Sequence, residues 1–334
     1  MIRLAWLFAA LLAALSIPLL LGGREMLWRL QNFPLPMLVL LFSMIGLCWL
    51  INAARLRLLL GEQASRLGRL KCLATVMATE FAICATPGGS GGPLTLMTLL
   101  GRAGVRPAHS SAVYAMDQFS DLVFFFCALV AVLLYALFQN ITRNLEWMLL
   151  ASALLVLGAL GVCLGLARFH RHFLRIIGRL LARLNVTPAT RLRWGRKTLH
   201  FLAAFADTCK MPWQRLAGVF LMTCLHWGLR YSVLYLALRG LGIDLKWAWT
   251  FLIQMLSLSA GQLSLLPGGA GAAELTSAAL LTPMVGKSSA AAAILIWRAV
   301  TYYFYLIAGG PVFLLMVARP WLRKLMRLKQ AQDH

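Results

Sequence analysis

Leu265-Leu266-Pro267-Gly268-Gly269-Ala270-Gly271-Ala272-Ala273-Glu274 puts a Pro-Gly-Gly break and a lone acid inside an otherwise apolar stretch. Proline and glycine interrupt a helix here, and the amides and carbonyls they release cost several kcal/mol each if left bare in lipid. Such a break must be enclosed by protein or line a wet cavity. A second copy lies upstream, Ala85-Thr86-Pro87-Gly88-Gly89-Ser90-Gly91-Gly92-Pro93. The pairing of the two predicts the fold.

The rest of the composition says what kind of chain carries these breaks. With 61% hydrophobic and 13% charged residues and a mean hydropathy of +0.78, there is too little polar surface for a soluble globule. An all-α polytopic membrane protein is expected, forming a single transmembrane domain over residues 1–334. A net charge of +22 would suggest nucleic acid in a soluble protein. Here the Lys and Arg gather in the loops between apolar runs, which is the positive-inside pattern, so anionic phospholipid at the basic cytoplasmic face is the expected partner. No basic module with interleaved aromatics is present, so nucleic acid is not expected. The seven cysteines (48, 72, 84, 127, 163, 209 and 224) show no Cys-x-x-Cys spacing and read as small buried hydrophobes. No metal and no cofactor are expected.

Residues 4–21 form the first apolar run, and they lack the small-x-small site of a cleaved signal peptide, the alternative reading. Residues 35–54 form the second span, and Arg55, Arg57, Arg66 and Arg69 mark the following loop as cytoplasmic. A helix over 70–86, marginal for a crossing, meets the first break and resumes at Pro93 as far as Gly101-Arg102. Arg102, Arg106 and His109 make its exit basic again, so the simplest solution is a re-entrant hairpin. Residues 110–138 then lead outward, 140–146 form an outer loop, and 147–167 return. Arg168, Arg171, Arg175, Arg179 and Arg183 recur every three or four residues, the mark of an interfacial helix lying on anionic lipid. Residues 216–238 cross outward, 247–266 and 272–284 flank the second break, 288–318 cross inward, and 319–334 form a basic tail.

Each half reads span, broken helix, span: about 35–138 and 213–318, separated by the basic segment at about 168–212. The first hairpin enters from inside and the second from outside, an inverted-topology repeat of the kind transporters use to expose one midplane site to either face. The full expectation is about six spans plus two re-entrant hairpins, with both termini inside.

Glu80, Asp117, Asp121, His226, Arg230, Glu274 and Arg298 are ionisable residues within apolar segments, where each must be paired, wet or functional. Asp117 and Asp121, four apart, share a helix face; they could bind a cationic head group, relay protons, or neutralise Arg230 or Arg298. Arg298 suits bidentate capture of a lipid phosphate, with an ion pair to Asp117 or Asp121 as the alternative. Arg230 reads as a substrate contact or as a snorkelling cation. Glu274 stands in the first turn after the second break, where it can cap helix amides or take part in coupling. Glu80 can pair across the first tip. His226 reads as a hydrogen-bonded interior histidine, and Tyr302, Tyr303 and Tyr305 as packing residues with at most one facing a cavity. Pro87, Gly88, Gly89 and Gly91, with Pro267, Gly268, Gly269 and Gly271, complete the candidate substrate-binding set. They turn the chain and can aim free amides at an anion.

Four stretches carry a family resemblance: Ala85 to Gly92, Asp117-Gln-Phe-Ser-Asp121, Leu266 to Glu274, and Ala291 to Gly309 with Arg298-Ala-Val-Thr-Tyr-Tyr303 at its centre. With them the chain resembles the transmembrane region of the lysylphosphatidylglycerol synthase family, a flippase-like domain also found in stand-alone inner-membrane members. Members often carry a charged residue just after the first glycine cluster, where this chain has Pro93-Leu94-Thr95-Leu96. The soluble aminoacyl-transfer domain of the full synthases has no counterpart in the sequence. The resemblance therefore implies lipid handling in a bacterial cytoplasmic membrane and not lysine transfer.

The leading expectation is a lipid transporter that moves a phospholipid or lipid-linked phosphate between leaflets. No Walker motif is present, so ATP hydrolysis is not its driver. An enzyme acting on lipid phosphates is the alternative, disfavoured because two acids are too few ligands for its usual metal ions. A non-transporting, lipid-binding partner of a lipid-synthesis enzyme is the third reading, with 168–210 as its docking surface.

Overall fold

A computed structural model describes residues 2–138 and 211–318, with six isolated positions between 150 and 161. Among the described residues the chain is all-helical. Helix α1 (Ile2–Gln31) is kinked at Gly23, and α2 spans Leu35–Leu60 and leads into a 3-10 turn at Gly61–Arg66. The first broken helix is α3 (Arg69–Ala85) and α4 (Gly91–Arg102), followed by α5 (Pro107–Phe138). Then come α6 (Trp213–Gly240) and the second broken helix, α7 (Trp247–Leu263) and α8 (Ala272–Val285). A last long stretch is built from α9 (Lys287–Arg298), a wide π turn (Ala299–Tyr303), α10 (Phe304–Phe313) and a second π turn (Leu314–Ala318). Three stretches, Leu35–Arg66, Pro107–Val132 and Lys287–Val317, are long and apolar enough to cross a membrane.

Local chemistry sets most of these boundaries. Pro34 precedes α2 in an extended conformation, and Gly61, with φ 57°, closes it by donating to the Arg57 and Leu58 carbonyls. The helix thus runs past the expected end at residue 54 and takes Arg55 inside with it. The first break is shorter than expected, because Gly91 and not Pro93 opens α4: the Thr86 hydroxyl accepts the Gly91 N–H at 2.8 Å. The second is longer, since α7 stops at Leu263. There the Ser264 hydroxyl accepts the Leu266 N–H, and Leu265 turns to φ 55°, a left-handed conformation that costs a leucine strain. The expected outer loop at 140–146, the basic segment at 168–210 and the tail at 319–334 lie outside the described residues, as does nearly all of the span at 147–167.

Helices of the two halves interleave. Helix α2 packs along α6, α1 along α9, and α3 along α10, while the arms of each broken helix pack on one another. Small residues let the backbones close: Ala290 to Ala293 on α9 are fully buried, and Gly309 on α10 lies against the Met77 carbonyl and Phe81 of α3. Trp49 stacks on Phe304 and meets Tyr305 edge-on, and Phe125, Trp227, Tyr231 and Phe251 join α5, α6 and α7. The opposite face of α2 leaves Leu35, Val39, Leu40, Leu47 and Leu50 exposed, an apolar surface that suits lipid and not water.

Candidate functional site

The two breaks meet. Pro87 and Pro267 face one another across a single antiparallel bridge, so the tips of the broken helices touch. Proline has no N–H, so neither proline donates across this bridge. Glycine is needed on both sides. Gly88, Gly89, Gly268 and Gly269 all have positive φ, and a Cβ on Gly268 would overlap the Tyr302 ring. Gly269 also lies directly on the Gly261 backbone of α7.

Beside the tips lies a cavity of 560 Å³, bordered by Gly88, Gly89, Gly268 and Gly269 and walled by α2 to α8 and the last helix. Three arginines and three acids reach it: Arg55, Arg230 and Arg298 with Glu80, Asp117 and Asp121. Glu274 stands behind Arg298, fully buried.

Their pairing differs from what spacing suggests. Arg298 donates through Nε to Glu274, through Nη2 to the Gly268 carbonyl at 3.1 Å, and stacks 4.3 Å from the centre of the Tyr302 ring. The other carboxylate oxygen of Glu274 accepts the Gly271 N–H at 2.7 Å, and Tyr302 Oη donates to the Pro267 carbonyl at 3.2 Å. Glu274 is therefore both a helix cap and the partner of Arg298, a combination that ties the second tip to the last helix. Arg298 makes no pair with Asp117 or Asp121.

Those two acids share Arg55 instead, which reaches Asp117 through Nη2 and Asp121 through Nη1, both at 2.6 Å. Asp121 also accepts from Trp227 Nε1 at 2.8 Å, and Arg55 from α2 is braced by the Thr223 hydroxyl of α6. By its place in the sequence Arg55 belongs to a basic loop. Its side chain is 5% exposed, and the signal available was Asn52 three residues earlier, which puts two polar groups on one face of an apolar helix.

The third group is looser. Arg230 lies 3.6 Å from Glu80, donates to Tyr305 Oη at 3.1 Å, and has its guanidinium over the rings of Tyr305 and Trp227 at 4.9 and 5.6 Å. It is enclosed among aromatics and does not snorkel. Glu80 pairs with Arg230 of α6, not across the first tip, and takes a long 3.4 Å hydrogen bond from Asn52. Of the tyrosines, Tyr302 borders the cavity while Tyr305 is fully buried. His226 is also buried, and among the described residues its Nδ1 has no partner.

The tip amides are largely engaged within the protein. At the first tip those of Gly89, Ser90, Gly91 and Gly92 bond to Thr86, Pro87 and Gly89; at the second, those of Gly269, Ala270 and Gly271 bond to Leu266, Pro267 and Glu274. Among the described residues, no group of three or more His, Cys, Asp or Glu is placed to hold a metal ion.

A family model described as the lysylphosphatidylglycerol synthase TM region matches residues 6–309. The chain belongs to that family. The match takes in both tips and all seven charged residues of the site, so the resemblance carried by the short motifs extends along nearly the whole chain. Among relatives, a UPF0104 membrane protein of Archaeoglobus fulgidus is 23% identical over 260 residues, covering 75% of this chain and 77% of the relative. The protein is a membrane protein of the lysylphosphatidylglycerol synthase TM-region family.

Proposed function

We propose that the protein is a multi-pass lipid transporter of the cytoplasmic membrane, passing the head group of a phosphate-bearing lipid from one leaflet to the other without ATP hydrolysis. The observation that carries this reading is the meeting of two broken-helix tips beside one charged cavity. A transporter built as an inverted repeat places its site at such a junction, with backbone breaks tolerated because they line it. In this reading both broken helices are re-entrant, flanked by about six full spans, with both termini on the cytoplasmic side.

The cavity volume supports a head group as cargo. At 560 Å³ it lies within the roughly 300–1,000 Å³ typical of small-molecule sites and is far too small for two acyl chains, which stay in the bilayer. Arg230 is the phosphate contact in this scheme. It is the cavity arginine with the longest ion pair, and it sits over aromatic rings with one donor given to the Tyr305 hydroxyl, which leaves others for a phosphate. Arg298, with Nε and Nη2 already engaged, anchors the second tip.

Reconstituted vesicles test the reading. Protein in liposomes containing a head-group-labelled phosphatidylglycerol should expose inner-leaflet label to an external quencher faster than protein-free liposomes. Arg230→Ala should remove most of that rate, and Arg230→Lys should restore part of it. Label that moves no faster than in empty liposomes overturns the proposal.

A further inference from the structure

The ion pairs around the cavity do not balance. Arg298 with Glu274, and Arg230 with Glu80, are each one cation against one anion. Arg55 alone faces two carboxylates, Asp117 and Asp121. Three guanidiniums against four carboxylates leave the site one negative charge in excess, in a place walled by protein where charge is screened less than in bulk solvent. An anionic lipid phosphate entering there would meet a net negative wall.

We infer that the carboxylate of Asp117 takes up one proton whenever the phosphate head group occupies the cavity, so that each transported lipid carries one proton with it. The inference rests on the lipid-transport reading above. A proton from the aqueous side adds to a carboxylate oxygen of Asp117, giving the neutral acid and cancelling the excess charge. It leaves to water on the opposite side when the head group leaves, and no other bond forms or breaks.

Geometry selects Asp117 over its neighbour. Asp121 holds two donors, Arg55 Nη1 and Trp227 Nε1, whereas Asp117 holds Arg55 Nη2 and is the more exposed of the two, at 23% against 13% of its side chain. The ionisable groups that line the cavity with Asp117 are Arg55 on α2, Glu80 and Cys84 on α3, Tyr114 and Asp121 on α5, His226, Arg230 and Tyr231 on α6, and Arg298 and Tyr302 on the last helix; α4 and α7 bring no ionisable side chain to the cavity wall. Among the described residues, Arg55 Nε, Asn52 Oδ1 and His226 Nδ1 on this same wall are buried without a partner. Groups of that kind are satisfied by water, which a moving proton also requires.

Purified wild-type protein in weakly buffered detergent, with a pH-sensitive dye, is titrated with short-chain phosphatidylglycerol. Binding is followed separately by calorimetry at two pH values. About one proton taken up per lipid bound is the expected result, with uptake lost in Asp117→Asn and kept in Asp117→Glu. In proteoliposomes, inward movement of labelled lipid should accelerate severalfold when the outside is one pH unit more acidic. Lipid that binds and moves with no proton uptake and no response to the gradient overturns the coupling while leaving the transport reading intact. Lipid that neither binds nor moves overturns that reading as well. Should Asp117→Asn fail to fold, Asp117→Glu decides: uptake at a pH different from that of the wild type supports the assignment to Asp117, and an unchanged pH dependence overturns it.

Discussion

Pro87 and Pro267 are the point where the tips of the two broken helices meet, joined by one antiparallel bridge to which neither proline can donate. A contact held by so few hydrogen bonds is weak compared with the helix packing around it, so it can open while the helices stay folded. Cysteines at both positions, in a background without the native thiols, should crosslink on oxidation. Cleavage between the halves followed by a non-reducing gel reads the bond directly. Lipid movement should stop on oxidation and return on reduction; undiminished movement in the locked form would show that the tips need not part.

Removing Glu274 strands two groups at once, the Arg298 guanidinium and the Gly271 N–H, both buried. Breaking one side of a buried ion pair costs about 3–5 kcal/mol. Glu274→Ala and Arg298→Ala should each lower the melting temperature in detergent by many degrees. The double replacement Glu274→Leu/Arg298→Met, which leaves no orphan charge, should recover much of the loss. A double variant as unstable as the sum of the singles would contradict this pairing.

Arg55 and Arg57 are two residues apart and differ in kind. Arg55→Ala leaves Asp117 and Asp121 facing one another without a counter-ion and should destabilise the protein by about 3 kcal/mol or more. Arg57 donates to the Leu67 carbonyl, a neutral acceptor, and Arg57→Ala should cost about 1 kcal/mol. Thermal denaturation of the two variants side by side distinguishes a buried, doubly paired cation from a half-buried one in the last turn of the same helix.

Glycine replacements should separate the tip from the helices. Gly268→Ala forces a Cβ into the Tyr302 ring at a φ of +59° and should abolish lipid movement and lower stability together. Gly46→Ala, in α2 with open space where its Cβ would go, should gain up to about 1 kcal/mol from the better helix former. Melting curves and the vesicle assay on both variants check the contrast.

What the sequence revealed follows from how local each signal is. Proline and glycine mark a backbone break where they stand, so both tips and most helix boundaries could be read within a few residues. Glu274 was readable as a cap for the same reason, because its amide partner is three residues away. The partners of the buried charges were not readable. Asp117 finds Arg55 on a helix of the same half, Glu80 finds Arg230 in the other half, and no periodicity within one helix encodes either meeting. Arg55 was hidden further by its place at the end of an apolar run, where a cation normally means water. Only Gly61, closing α2 six residues later, puts it inside.

The π turn at Ala299–Tyr303 sets the phase of all that follows it. One additional residue in a helical turn rotates every later side chain by about 100° relative to an unbroken α-helix. With that offset, Tyr302 points at the Pro267 carbonyl while Gly309, further along the same rod, lies flush against Met77 of α3. The last helix is thus a shaft with one end keyed to the second tip and the other to the first broken helix. The register between these two contacts is set by that one widened turn.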